Sequence, residues 1–405
     1  MKGYLKMSVN EKMRGLGAKS SVIRELFEYG KKRKAEIGDD KVFDYSIGNP
    51  SVPAPAKVNE TLVKIINETD PVKLHGYTSA AGDVGVRTAI ADYLNNKYNA
   101  GVGMENIYMT VGAAASLTIS LTALVNAGDE VIVLAPFFPE YRVFVERTGA
   151  TLKVVQSDPR DFQIDFDALE AAINEKTKAI IVNSPNNPTG AVLTLETVKK
   201  LAKLLEDKQK EYGNDIYIIS DEPYRELVYG DVEVPFLTNE YNNTIVCYSF
   251  SKSLSLPGER IGYILVSPKV SEWKNVFFAV CGAGRALGFV CAPALFQYMV
   301  PECLGLTSDL TVYDTNRTLL YDALTEYGYR AIRPDGAFYL FVETPESDAV
   351  AFCEKAKKYE LLLVPSNDFG CGGFVRISYC VTTEQIKRSL PAFKALAEEY
   401  GLIKK

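Results

Sequence analysis

Ser249-Phe250-Ser251-Lys252-Ser253-Leu254-Ser255-Leu256-Pro257-Gly258-Glu259-Arg260-Ile261-Gly262-Tyr263 places a lysine in a small, hydroxyl-rich turn after an apolar strand, with an arginine further on. Such a turn suits an aldehyde that carries a phosphate. The amine condenses with the aldehyde, while serines and a guanidinium hold the phosphate. A lone lysine would mean little, because most lysines are solvated surface charges. What matters is the company that Lys252 keeps along the chain.

Between about residues 80 and 270, helical and strand-like segments alternate, the pattern of a mainly parallel sheet flanked by helices. The spacing predicts an amphipathic helix over Asp83–Tyr98. It predicts strands at Ile107–Val111, Glu130–Leu134, Leu152–Gln156, Ala179–Asn183, Ile216–Ser220, Thr244–Tyr248 and Tyr263–Val266. Most are short, apolar and rich in Ile and Val, as strands buried on both faces are. Gly112-Ala113-Ala114, Phe137-Phe138, Asn186-Asn187, Asp221 and Ser249 each follow a predicted strand directly. In open α/β sheets the ligand crevice lies beyond the carboxyl ends of the strands, so these segments are expected to converge on one rim. The C-terminal part reads as an α+β unit. A helix near Thr315–Tyr327 leads to an alternating strand over Gly336–Val342, a helix over 348–360, Leu361–Val364, a strand over Phe374–Tyr379 and a closing helix over 382–400.

Lys252 stands with three further segments: Ser184-Pro185-Asn186-Asn187-Pro188-Thr189-Gly190, Asp221-Glu222-Pro223-Tyr224 and Val375-Arg376-Ile377-Ser378. Together they resemble the class I/II aminotransferases, the pyridoxal-phosphate enzymes of fold type I. The resemblance runs in the family's order from about Ile47 to about Ser378. It implies a large α/β domain with a mainly parallel central sheet flanked by helices, and a smaller α+β domain built from both termini. The expected division is residues 1–50 packing with the small domain, 51–299 as the large cofactor-binding domain and 300–405 as the small domain.

The resemblance makes Lys252 the Schiff-base lysine. Once displaced by substrate, its amine can carry a proton at the substrate's α-carbon. Asp221 closes an apolar strand, so its carboxylate is expected partly buried at the end of the sheet. There it needs a cationic partner, which the pyridinium nitrogen supplies; a helix N-cap role is the local alternative. Asn187 and Tyr224 match the pair that hydrogen-bonds the cofactor's phenolic oxygen, although Asn-Asn-Pro is also a natural turn. Ser249, Ser251 and Arg260 are the side-chain candidates for phosphate. Backbone N–H groups of Ala113 and Ala114 join them, where a helix start binds anions. Phe138 resembles the aromatic that stacks on the cofactor ring, with a core role as the alternative. Tyr77 resembles the tyrosine that reaches the phosphate of the neighbouring subunit, which implies a homodimer with active sites at the interface. The family's usual proline two residues on is Ser79 here.

On the substrate side, Arg376 is placed as the planar, bidentate clamp for the α-carboxylate, with an internal salt bridge as the alternative. Gly48 resembles the glycine whose backbone meets the same carboxylate, or serves a turn. The stretch Val276–Phe296 is almost wholly apolar but contains Arg285, glycines and Pro293. It is expected as a buried strap rather than a membrane span. Arg285 within it roughly matches the arginine with which dicarboxylate-specific relatives bind the distal carboxylate from the neighbouring subunit; a structural ion pair with an acidic residue is the alternative.

Composition narrows the field. The chain has 405 residues, 47% of them hydrophobic and 24% charged, the make-up of globular material long enough for two domains. A net charge of −6 argues against a nucleic-acid partner, and the one basic run, Lys31-Lys32-Arg33-Lys34, reads as a solvated helix end. The single histidine, His75, leaves no multi-histidine metal site, and no metal is expected. Seven cysteines without a CxxC pair fit a reducing cytoplasm. The N-terminus has charge but no apolar core after it, so neither a signal peptide nor a membrane partner is expected. The expected function is a ping-pong exchange of an amino group between an L-amino acid and a 2-oxo acid. A C–S β-lyase on the same site remains open, because the bond that breaks depends on substrate placement. An amino-acid-sensing regulator on this fold is the remaining alternative; the short segment before Gly48 shows no helix-turn-helix pattern that would serve one.

Overall fold

The computed structural model describes residues 9–18 and 21–404; residues 1–8, read above for a leader, lie outside that description, as do 19–20 and 405. After a short strand β1 (Phe43–Asp44), all seven expected strands form with ends close to those expected. They are β2 (Ile107–Thr110), β3 (Glu130–Ala135), β4 (Thr151–Gln156), β5 (Thr177–Asn183), β6 (Tyr217–Asp221), β7 (Thr244–Ser249) and β8 (Gly262–Val266). One sheet takes them in the order β2-β8-β7-β6-β5-β3-β4. Its strands are parallel except for β8, which runs antiparallel to both neighbours. Every residue of β6, β7 and β8 is buried, because helices cover both faces. Ile181 and Ile219 face the helices Ala113–Leu124 and Trp273–Ala286; Ile180 and Ile218 face the helix Leu195–Tyr212 on the opposite side. That division follows from the two-residue period of a strand.

A second sheet, in the order β12-β13-β10-β9, is antiparallel throughout: β9 (Arg330–Ala331), β10 (Tyr339–Glu343), β12 (Val364–Pro365) and β13 (Phe374–Ser378). Between β10 and β12, β11 (Leu361–Leu362) pairs in parallel with β1, Phe43 opposite Leu361. The early chain is thereby tied to the C-terminal unit. Arg33 adds a 2.6 Å contact to Glu360, so the basic run is not solely a solvated helix end: one of its charges anchors the helix Val22–Ile37.

Two expectations change. The strand expected from Gly336 begins only at Tyr339, because Ala337 adopts a φ of +55° and a side chain on Gly336 would strike the Leu227 carbonyl. Tyr339–Val342 is buried on both faces rather than alternating. The apolar stretch 276–296 is also not buried as a whole. It forms the end of the helix Trp273–Ala286, a turn, and the start of the helix Ala294–Cys303. Val276, Val280 and Ala283 face the core, while Phe278 is 70% exposed and Val290 65%. The apolar sequence thus covers both the core face of the helix and its outer face. Among the described residues, no helix is long and apolar enough to cross a membrane.

Candidate active site

The carboxyl ends of β2, β3, β5, β6 and β7 open on a cleft of about 280 Å³. It lies where the strand order reverses, since the chain runs from β3 out to β4 and returns to β5 on the other side of β3. Tyr339 and Arg376, from β10 and β13, close its far wall, and Gly48 arrives from the segment after β1. Every residue expected at the site lines this cleft except Tyr77 and Arg285.

Asp221 is the last residue of β6 and is only 5% exposed, more deeply buried than expected. Tyr141 donates its hydroxyl to Oδ2, and Oδ1 has no hydrogen-bond partner among the described residues. Burial pushes this carboxyl up to about 7, against the opposing hydrogen bond from Tyr141. A buried carboxylate oxygen without a donor calls for a cation or an N–H from a ligand. The strand below it makes the placement firm: Asn183, at the end of neighbouring β5, donates Nδ2 to the Asp221 carbonyl at 2.8 Å.

Lys252 extends from a short helix, Phe250–Ser253, that starts where β7 ends. Its Nζ donates to the Gly48 carbonyl oxygen at 2.7 Å and lies 5.5 Å from the centre of the Phe338 ring. Its pKa is lowered to about 8, chiefly by burial; Cys380 pulls it upward, while the cations Arg260 and Arg376 contribute to the lowering. A desolvated amine of this kind is neutral over a useful part of the pH range and is a nucleophile there.

At the other end of the cleft, Ser249 Oγ and Ser251 Oγ lie 2.7 Å apart, and Arg260 Nη1 is 3.4 Å from Ser251 Oγ. The helix Ala113–Leu124 begins beside them. Gly112, at a φ of +90°, leaves room for the guanidinium: a Cβ there would come within 2.7 Å of Arg260 Nη2. Two hydroxyls, a guanidinium and the free N–H groups of a helix start form a donor set for a phosphate.

Arg376 is buried, at 2% exposure, and its hydrogen-bond partners among the described residues include no carboxylate, so the internal salt bridge is absent there. Nη1 donates to Asn187 Oδ1 at 3.1 Å and Nη2 to the Ser46 carbonyl at 2.5 Å, while Nε is buried and unpaired. Burial lowers its pKa. A buried cation with spare donors and no anion within the protein suits a carboxylate ligand. Asn187 and Tyr224 share no hydrogen bond among the described residues: Asn187 meets Arg376, and the Tyr224 hydroxyl lies 2.9 Å from that of Tyr339.

Tyr77 is 90% exposed and stands away from the cleft of its own chain. Arg285 corrects a further expectation. It lies in the last turn of its helix, exposed, and forms no salt bridge among the described residues. The Phe278-Gly282-Arg285 spacing puts all three on the outer face of the helix. Sequence reasoning missed Tyr141 and Tyr339. Neither carries a local signal, since each is one of 24 tyrosines in the chain and meets its partner only through the fold. Asn183 was accessible, being a polar residue that ends an apolar strand just as Asp221 does.

The family model of aminotransferase class I and II matches residues 40–393. The chain is 31% identical to aspartate aminotransferase of Thermotoga maritima, over 91% of this chain and 95% of that protein. It is 30% identical to the aspartate/prephenate aminotransferase of Thermus thermophilus, over 85% and 88%. Among solved structures, an amino transferase from Eubacterium rectale superposes with a TM-score of 0.96 at 57% identity, over 98% of this chain and all of that one.

Proposed function

The chain belongs to the class I and II aminotransferases, and we propose how its residues divide the work. It is a pyridoxal-phosphate-dependent enzyme that moves an amino group between an amino acid and a 2-oxo acid. The cofactor supplies the electron sink for the pair left when a bond to the substrate's α-carbon breaks.

Lys252 carries the cofactor and, when released, moves the proton at the substrate's α-carbon. Asp221 holds the proton on the ring nitrogen. The observation that carries this reading is its buried, unpartnered Oδ1. Asn187 and Tyr224 donate to the phenolic oxygen, and Phe138 packs against the ring. Ser249, Ser251, Arg260 and the backbone N–H groups of Ala113 and Ala114 take the phosphate. Arg376 grips the α-carboxylate, a role supported by its unpaired Nε. Gly48 holds the Lys252 amine through its carbonyl and faces the same carboxylate.

The protein acts as a homodimer in which Tyr77 reaches the neighbour's phosphate; its 90% exposure in the single chain supports this. The working division is residues 51–299 and 300–405, with 1–50 packing on the latter, supported by the pairing of β1 with β11. A reducing cytoplasmic setting is supported by seven unpaired cysteines. The amino donor is aspartate or glutamate, with Arg285 entering the neighbouring cleft to meet the distal carboxylate. Its exposure supports that role, as do relatives named for aspartate. A panel of amino donors against 2-oxoglutarate and pyruvate tests the reading. Dicarboxylates should lead it, and no turnover with either would retire the substrate assignment.

A further inference from the structure

We propose that Tyr339 is a positioning residue for Tyr224, donating its hydroxyl proton to Tyr224 Oη and so turning the Tyr224 proton toward the cofactor. The inference rests on the reading that Tyr224 donates to the cofactor's phenolic oxygen.

The two hydroxyls are 2.9 Å apart, their rings meet edge to face at 5.7 Å, and both side chains are buried. Tyr339 opens β10 opposite Ser378 of β13, so its backbone is held in the sheet that also carries Arg376. The Arg376 guanidinium lies 4.7 Å from the centre of the Tyr339 ring. On the other side stands Gly48, where a Cβ would come within 2.1 Å of Tyr339 Oη. The absent side chain is the space that the hydroxyl occupies. Tyr339 is thus wedged between the glycine whose carbonyl holds Lys252 and the tyrosine it bonds.

Proton counting sets the direction. Neither hydroxyl has another hydrogen-bond partner among the described residues. The pair holds two protons and uses one between them, which leaves one free to point into the cleft. If Tyr224 donated to Tyr339, it would turn only lone pairs toward an anionic oxygen. If Tyr339 donates, Tyr224 keeps its proton for that oxygen, and the two bonds in series polarise each other. Burial raises the pKa of both phenols, that of Tyr339 to about 12 and that of Tyr224 well beyond its ordinary value. Both therefore stay protonated over the working range. Removing the Tyr339 hydroxyl should weaken the donation from Tyr224 and raise the proton affinity of the linkage between Lys252 and the cofactor. The other groups facing these three residues are Tyr141, which burial keeps well above its ordinary value, Arg260, Arg376, Asp221 and Cys380. Burial lowers the pKa of Arg376 and pushes Cys380 up to about 12. Asp221, whose carboxyl burial pushes up to about 7, would be held ionised by the ring cation it is proposed to face.

The test titrates the visible absorption band of the holoenzyme against pH in wild type, Tyr339→Phe, Tyr224→Phe and the double variant. Tyr339→Phe should raise the midpoint by about 0.5 pH unit, and Tyr224→Phe by more. The double variant should match Tyr224→Phe alone, because Tyr339 acts only through Tyr224. An unchanged midpoint in Tyr339→Phe, with Tyr224→Phe shifted, overturns the proposal and leaves the placement of Tyr224 standing. So does a double variant in which the two shifts add. No shift in Tyr224→Phe itself overturns both.

Discussion

Tyr141 donates its hydroxyl to Oδ2 of Asp221, while Oδ1 of the same carboxylate has no partner among the described residues. Half of the carboxylate is satisfied by the protein and half is left for a ligand. Without that ligand the arrangement is costly, and the cost depends on pH.

The carboxyl is raised to about 7 in the folded chain from an ordinary value of 3.8. Below 3.8 it is neutral in both states and burial costs little. Between 3.8 and 7 the unfolded chain releases the proton and the folded chain keeps it, so stability falls as pH rises through that window. Cofactor-free Asp221→Asn should lack this fall. Its advantage over cofactor-free wild type should grow from near zero at low pH to a ceiling of about 4 kcal/mol at pH 8. Urea melts of both proteins across this range check it. Parallel profiles would mean that the carboxylate is solvated.

Lys252→Ala should abolish amino transfer and leave the fold intact, because the side chain makes a single hydrogen bond among the described residues, to Gly48. Borohydride reduction of wild-type holoenzyme followed by peptide mapping should find the pyridoxyl group on Lys252. Label on any other lysine would move the catalytic assignment elsewhere.

Gly48→Ala should destabilise the protein by about 1–3 kcal/mol through overpacking, because the new methyl would meet Tyr339 Oη at 2.1 Å and Cζ at 3.0 Å. Adding Tyr339→Phe should recover part of that loss, since the closest atom is then gone. Thermal melts of the single and double variants measure this coupling, and additive effects would show that the two side chains do not share the space.

Arg285→Ala should lower kcat/KM for aspartate by about thirtyfold, the equivalent of roughly 2 kcal/mol of lost ion pairing. Alanine as donor should change by no more than about threefold. Sedimentation should find a dimer, and Tyr77→Phe should weaken cofactor binding. Equal losses across donors would make Arg285 structural, and a fully active monomer would remove both residues from the site.

Much of the fold was legible in the chain because strands buried on both faces must be apolar along their whole length and must end where polar residues begin. Asp221 and Ser249 mark such ends, and the rule that crevices open at the carboxyl ends of parallel strands gathers them without coordinates. The lysine, the arginines and the asparagine were readable in the same way, since their chemistry is uncommon inside a globular chain.

What only the tertiary structure decided are relations between residues far apart in sequence. Tyr141 meets Asp221, Tyr339 meets Tyr224, and Arg376 meets Asn187 across 80, 115 and 189 positions. No local period encodes such pairs. The last two depend on how the two sheets are set against each other, and the first on how the helix after β3 packs against the end of β6. The apolar run around Arg285 shows the same limit from the other side. Hydrophobicity states that a segment prefers to leave water, but which face of a helix the core accepts is settled by the surface already packed there. The sequence alone therefore specified the chemistry and its approximate place, while tertiary packing decided which side chain each reactive group would meet.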